Sequence, residues 1–76
     1  MNDAVPLLEQ IVAASGLSPI FARGAITRAL RRAGVRDDEL TRVTARSALP
    51  EIRKAIQPFL AGGADQAMKA IEAVID

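Results

Sequence analysis

Residues 18–34, SPIFARGAITRALRRAG, carry the clearest structural pattern in the chain. Ser18 followed by Pro19 is typical of a helix start, because serine caps the first turn and proline lacks only an N–H that would be unpaired there. Gly34 is a typical residue just beyond a helix end. The stretch therefore predicts an α-helix over 19–33.

At about 100° per residue, this helix has one alanine-rich face and one arginine-rich face. The face predicted to be buried comprises Ala22, Ala25, Ile26, Ala29, Leu30 and Ala33. The face predicted to be exposed comprises Arg23, Thr27, Arg28, Arg31 and Arg32. Because alanines let a neighbouring helix approach closely, we expect this to be the central helix of the domain.

Helix-forming residues dominate the remainder, and the alternating pattern of a β-strand is almost absent. We therefore predict an all-α fold, a small single-domain bundle of about five short helices over 4–15, 19–33, 38–47, 50–60 and 64–75. Asp3 is the predicted cap of the first helix, and residues 61–63 form the turn before the last. With only 76 residues the core is thin, so a homodimer is one expected source of further burial.

Two boundaries are ambiguous in the sequence. Asp37, Asp38 and Thr41 can each cap the third helix; we place its start near 38, with Leu40, Val43 and Ser47 facing inward.

The second ambiguity concerns the fourth helix, which Pro50 is expected to open. Pro58 cannot donate to the carbonyl of Lys54. We predict a kink there and a helix that continues to residue 60. The residues predicted to face inward are Ile52, Ala55, Ile56, Phe59 and Leu60.

The composition excludes many kinds of chemistry. The chain has no histidine, cysteine, tyrosine or tryptophan, which removes triads and dyads that depend on histidine or cysteine. The three acidic residues at 37–39 are consecutive and diverge around a helix, so they do not converge on a substrate or a metal. We therefore expect no enzyme activity, no metal, no cofactor and no small-molecule substrate.

Composition also bears on location. No stretch resembles a signal peptide or the roughly 20 apolar residues of a membrane span. We expect no membrane partner and a cytoplasmic location. The arginine- and alanine-rich composition hints at a bacterial, GC-rich genome.

Positive charge is concentrated in the middle of the chain. Residues 23–54 contain nine basic and four acidic side chains, whereas residues 1–22 contain two acidic and no basic ones. Arginine forks bind carboxylates and phosphates with two hydrogen bonds. The competing interpretation is a solvated helix face whose charges pair internally with Asp37, Asp38, Glu39 and Glu51.

The main functional hypothesis is a non-catalytic interaction or regulatory module that docks an acidic protein surface or a second copy of itself. The predicted contact residues are Ile20, Phe21, Arg23, Arg28, Arg31, Arg32 and Arg36. Phe21 is expected to pack against the first helix near the cap of the second; the alternative is an exposed apolar anchor within a basic rim.

The alternative is a DNA-binding domain of helix-turn-helix type over residues 29–46, because small and apolar residues flank Gly34 at suitable spacing. Arg42 and Arg46 would then reach the nucleic acid. The acidic run at 37–39 argues against this reading, since it would meet the phosphates.

Overall fold

The computed structural model describes residues 6–60 and 62–76, the side chain of Asp37 excepted. Within those residues the all-α prediction is confirmed: five α-helices and two 3₁₀ turns are present, and no strand. In chain order they are α1 (Leu7–Ala14), α2 (Pro19–Arg32), the first 3₁₀ turn (Asp37–Glu39), α3 (Arg42–Ser47), α4 (Leu49–Ile56), the second 3₁₀ turn (Gln57–Phe59) and α5 (Ala64–Ile75). The predicted cap Asp3 and the turn residue Ala61 lie outside the described residues.

A Schellman motif ends α2. The N–H of Val35 donates to the carbonyl of Leu30 at 2.8 Å, and the N–H of Gly34 donates to that of Arg31 at 3.0 Å. Gly34 has a φ of +83°, a left-handed conformation that glycine adopts without steric cost. Val35 is buried, so the chain turns back onto the core directly after the helix.

The core lies between two main helix pairs. α2 packs chiefly against α4 and α1 against α5, while α3 lies against α5. The buried face of α2 is the one predicted, with Ala33 only half-buried at its end. The largest fully buried apolar side chains are Ile11, Val12, Ile26, Leu30, Ile52, Ile56, Ile71 and Ile75.

The third helix starts later than predicted. Thr41 is its N-cap: the Thr41 hydroxyl accepts from the N–H of Thr44 at 3.2 Å, and the Thr44 hydroxyl accepts from the N–H of Thr41 at 2.8 Å. This reciprocal pair is a capping box with threonine in place of the usual glutamate. The acidic run at 37–39 forms a separate 3₁₀ turn, and its predicted role as a helix start is wrong.

The inward face of α3 was also predicted wrongly. Val43 is 79% exposed and Ser47 is exposed, whereas Ala45 and Ala48 are buried. Leu40, which is half-buried, belongs to the connection before the cap, so it does not extend the face of α3. The two alanines let α3 and the start of α4 lie close to their neighbours.

The fourth helix does not continue through a kink to residue 60. α4 begins at Leu49 and ends at Ile56, and Pro58 lies in the second 3₁₀ turn, where the N–H of Leu60 donates to the carbonyl of Gln57 at 3.2 Å. Proline lacks the N–H that an α-helix would need here, whereas the tighter turn does not require it. Phe59 consequently leaves the inward face on which it was predicted.

Candidate functional site

The exposed side of α2 forms a continuous surface, which we call the outer face of α2. Its side chains recur at helical spacing along the helix, opposite the buried alanines. All of them are exposed: Ile20, Phe21, Gly24, Arg28, Arg31 and Arg32. Ile20 is the extreme case, with 84% of its surface accessible.

Five of the basic side chains outside this face are held by carboxylates. Arg53 meets Asp65 at 2.5 Å, linking α4 to α5, and Arg46 meets Asp76 at the end of the chain. Arg36 lies 3.3 Å from Asp38 and 3.6 Å from Glu39. The remaining two pairs are Arg23–Glu9 and Lys54–Glu51.

The arginines of the outer face behave differently. Arg28, Arg31 and Arg32 have no carboxylate partner among the described side chains. The internal pairing that the sequence offered as an alternative therefore occurs at Arg36 and Lys54, but is not seen at these three guanidinium groups. Their donors face solvent and are available to a ligand.

Arg23 belongs to α2 but lies on its other flank, toward α1. Its guanidinium donates two hydrogen bonds to the Glu9 carboxylate, at 2.9 and 2.5 Å. The hydrogen bond with Arg23 lowers the pKa of the Glu9 carboxyl below its ordinary value, and the pKa of Arg23 is raised by the same bond. Arg23 thus fastens α1 to α2 and is less available to a partner than the sequence suggested.

Phe21 extends the outer face onto the second 3₁₀ turn. Its ring meets the ring of Phe59 edge to face, with centroids 4.5 Å apart and planes at 75°. The two rings remain 38% and 55% exposed. The ring partner of Phe21 is therefore Phe59, and the packing of Phe21 against α1 stays a prediction. Sequence reasoning missed Phe59 as a surface residue; the only signal for its position was Pro58.

The residues of the alternative DNA-binding prediction lie on α3. Arg42 is exposed and has no carboxylate partner among the described residues, whereas Arg46 is paired with Asp76. Asp38 and Glu39 are exposed just ahead of this helix and bind Arg36. Arg42 is thus as available to a ligand as the arginines of the outer face of α2 but lies on a different helix, whereas Arg46 is held by Asp76.

A small cleft of about 170 Å³ lies between the end of α4 and the start of α5. It is lined by Arg53, Gln57, Leu60, Gly62, Ala64 and Asp65. This volume is below the roughly 300–1,000 Å³ of ligand pockets. The guanidinium of Arg53 is occupied by Asp65, so the cleft presents no unpaired arginine to an anion.

The described part of the chain has neither a metal-binding cluster nor a membrane-spanning helix. No three carboxylates there come close enough together to hold a metal ion. None of the helices combines the length and the apolar character needed to cross a bilayer.

Comparison with known proteins gives no lead: no family model, curated protein or solved structure matches the chain. What the chain does must therefore be argued from its own residues.

Proposed function

We propose that this domain is a non-catalytic interaction module that docks a protein with an acidic surface through the outer face of α2. The observation that carries this proposal is the contrast in pairing. Five of the seven basic side chains elsewhere have carboxylate partners, Arg42 and Lys69 being the exceptions, whereas Arg28, Arg31 and Arg32 stand together on one helix with none among the described residues. Guanidinium groups without an internal partner are free to bind the carboxylates of another protein with two hydrogen bonds each.

The apolar end of the same face supports the proposal. Ile20, Phe21 and Phe59 expose large apolar side chains at the N-terminal end of α2, and Ile20 lies two turns before Arg28 along the helix. Protein interfaces commonly have an apolar anchor surrounded by a polar rim, with aromatic residues and arginine enriched among the residues that contribute most. In such an arrangement the charges mainly set association rate and partner choice, and the apolar centre slows dissociation.

Two opposing effects of these charges act on the stability of the isolated domain. Arg28 lies three and four residues before Arg31 and Arg32, and like charges at this spacing destabilise a helix by about 0.2–0.5 kcal/mol per pair. Arg31 and Arg32 lie in the last turn of α2, where the helix dipole favours cations by about 0.3–1 kcal/mol each. The two effects nearly offset each other, so the cluster contributes little to folding.

The test replaces Arg28, Arg31 and Arg32 with glutamine. A partner is first isolated by affinity capture, then purified and titrated by calorimetry against the wild-type domain and the triple variant. Loss of the three charges should weaken binding by at least about tenfold, equivalent to 1.4 kcal/mol, and should flatten its dependence on salt. The free energy of unfolding should change by less than about 1 kcal/mol, because glutamine is a comparable helix former.

A matched control removes three exposed positive charges elsewhere: Arg42→Gln, Lys54→Gln and Lys69→Gln. It has the same net charge as the test variant, so an effect of overall charge would appear in both. Equal affinities of the two variants for the partner would contradict the proposal.

The same two variants separate protein docking from the DNA-binding alternative over residues 29–46. A titration against random duplex at two salt concentrations should show binding that falls steeply with salt if DNA is the ligand. The alternative would be favoured if DNA binding is lost in the control variant, which lacks Arg42, but kept in the variant that lacks Arg28, Arg31 and Arg32.

Self-association, a cytoplasmic location and a bacterial origin remain part of this proposal. Composition supports the last two, and a thin core supports the first. Sedimentation at several concentrations tests the dimer directly, since mass action requires the dimer fraction to rise with concentration.

A further inference from the structure

Gly24 lies in the middle of the outer face of α2, one turn after Ile20 and one turn before Arg28. It is exposed, and a Cβ placed on it would meet no atom within 4 Å. Its φ is not positive, unlike those of Gly16, Gly34 and Gly62. Neither backbone conformation nor packing within the domain therefore requires glycine here.

This glycine has a cost. In a helix interior, glycine is less stable than alanine, because a glycine loses more conformational freedom when the chain folds. Because Gly24 has no side chain, it leaves a gap in the row of side chains formed by Ile20, Arg28 and Arg31. A gap between two ridges of a helix surface accepts a side chain of a second helix, because helices pack ridges into grooves.

We infer that the occupant of the outer face of α2 is an acidic amphipathic α-helix of the partner protein, with a bulky apolar side chain seated over Gly24. This inference rests on the proposed docking function and names the partner's shape and chemistry. Ile20 and Phe21 border the seat on one side, and the arginines on the other.

The length of the surface determines how the partner helix lies. At 1.5 Å per residue, Ile20 and Arg31 are about 16 Å apart along α2. A helix that crosses steeply touches about one turn and reaches only one end. A helix that contacts both the apolar end and the arginines runs along α2 at a small angle, near the roughly 20° of bundle packing. Its carboxylates therefore lie one and two turns from its apolar anchor.

The helix dipoles determine the direction. Arg31 and Arg32 lie at the C-terminal end of α2, and the carboxylates that pair with them are most stable in the first turns of their own helix. Both conditions are met when the partner helix is antiparallel to α2. Its glutamates or aspartates then precede its apolar anchor in sequence. In the parallel arrangement these carboxylates would lie near the negative, unfavourable end of the dipole of their own helix.

A second copy of the chain fits the outer face of α2 poorly, so the self-association proposed above would use a different surface. The outer face of α2 contains no carboxylate, so two copies placed face to face leave their arginines without counter-charges. Charge complementarity selects an acidic helix instead.

The test uses two synthetic peptides of identical composition. One has glutamates in its first two turns and leucines in the next two; the other has the reverse order. Each is titrated by fluorescence anisotropy against the full 76-residue chain, and circular dichroism reports helix formation on binding. The glutamate-first peptide should bind at least about tenfold more tightly than the reversed one.

Gly24→Gln fills the seat with a polar side chain, and Ala73→Gln adds the same side chain to an exposed position of α5. The first variant should weaken binding of the glutamate-first peptide at least about tenfold, and the control should leave it unchanged. Glutamine is a better helix former than glycine, so Gly24→Gln should also raise the melting temperature, which excludes unfolding as the cause of weaker binding.

Three results would overturn this inference: neither peptide binds, both bind equally, or Gly24→Gln has no effect. If binding of the peptides or of the captured partner still depends on Arg28, Arg31 and Arg32, the docking function stands. Only the inference that the partner segment is an antiparallel helix over Gly24 then fails. If the partner is indifferent to those arginines, the docking function itself fails.

Discussion

At the scale of single residues, two glycines ten positions apart should respond to alanine in opposite directions. Gly24→Ala should stabilise the domain by about 0.5–1 kcal/mol, because its Cβ meets open space and its backbone is helical. Gly34→Ala should destabilise by about 1–2 kcal/mol, because it forces an L-residue into the left-handed region at φ +83°. Urea unfolding of the two variants measures both changes. A destabilising Gly24→Ala would mean that an intramolecular contact fills that space.

How far single residues are predictable depends on what determines their exposure. Helical spacing alone placed Arg28, Arg31 and Arg32 in solvent, since at 100° per residue they fall outside the alanine-rich face of α2. Helical spacing failed for Val43, which is 79% exposed. Val43 was predicted to face inward on α3, whereas the inward residues of this region are Ala45 and Ala48. Nor does spacing indicate which arginines pair, because Arg23 and Glu9 are fourteen positions apart and meet only after α1 and α2 pack.

At the scale of elements, the cap of α3 is the interaction most open to a direct test. Thr41→Ala removes the hydroxyl that accepts from the N–H of Thr44 and should cost about 1 kcal/mol, within the usual 0.5–2 kcal/mol for such caps. Thr27→Ala is the matched control: it removes the same atoms from within α2, where alanine is the better helix former. Urea unfolding gives the free energies, and amide hydrogen exchange should show faster exchange in α3 of the Thr41 variant.

A Thr41→Ala variant as stable as the wild type would show that packing of Ala45 and Ala48, not the cap, determines where α3 begins. The same competition explains why element boundaries were harder to predict than element types. Three residues between 37 and 41 had cap chemistry, and only the reciprocal bond with Thr44 selects Thr41. At Pro58 the choice between a kink and an end depends on local backbone geometry, and the structure has an end.

At the scale of the whole molecule, the sequence indicates which face of α2 is buried but not which helix covers it. Any apolar face can pack on any other of suitable shape, so the pairing of α2 with α4 and of α1 with α5 was not predictable from periodicity. The same limit applies to the outer face of α2, because part of it depends on how the helices pack. Its helical part was predicted, whereas its extension to Phe59 depends on α4 ending beside the start of α2.

Two ion pairs make the free energy of unfolding depend on pH: Glu9–Arg23 joins α1 to α2, and Asp65–Arg53 joins α5 to α4. A hydrogen bond with Arg23 lowers the pKa of Glu9, and one with Arg53 lowers the pKa of Asp65. Because each carboxyl has a lower pKa in the folded state than in the unfolded chain, the stabilisation is fully present above the unfolded values of about 4.3 and 3.9. It is lost as the pH falls through the lower, folded values, since the unfolded chain binds protons first.

The measurement is a double-mutant cycle with Glu9→Gln and Arg23→Gln, carried out by urea unfolding at neutral pH and again near pH 3. The coupling free energy should be favourable at neutral pH, should shrink as the carboxylate is protonated, and should weaken with added salt, because both side chains are exposed. The cycle with Asp65→Asn and Arg53→Gln should behave in the same way. A coupling that persists in acid would show that α1 and α2 are held together by packing of the side-chain stems and not by the charge pair. Arg23 could then be released to a partner without loosening the bundle, and would join Arg28, Arg31 and Arg32 as an available donor.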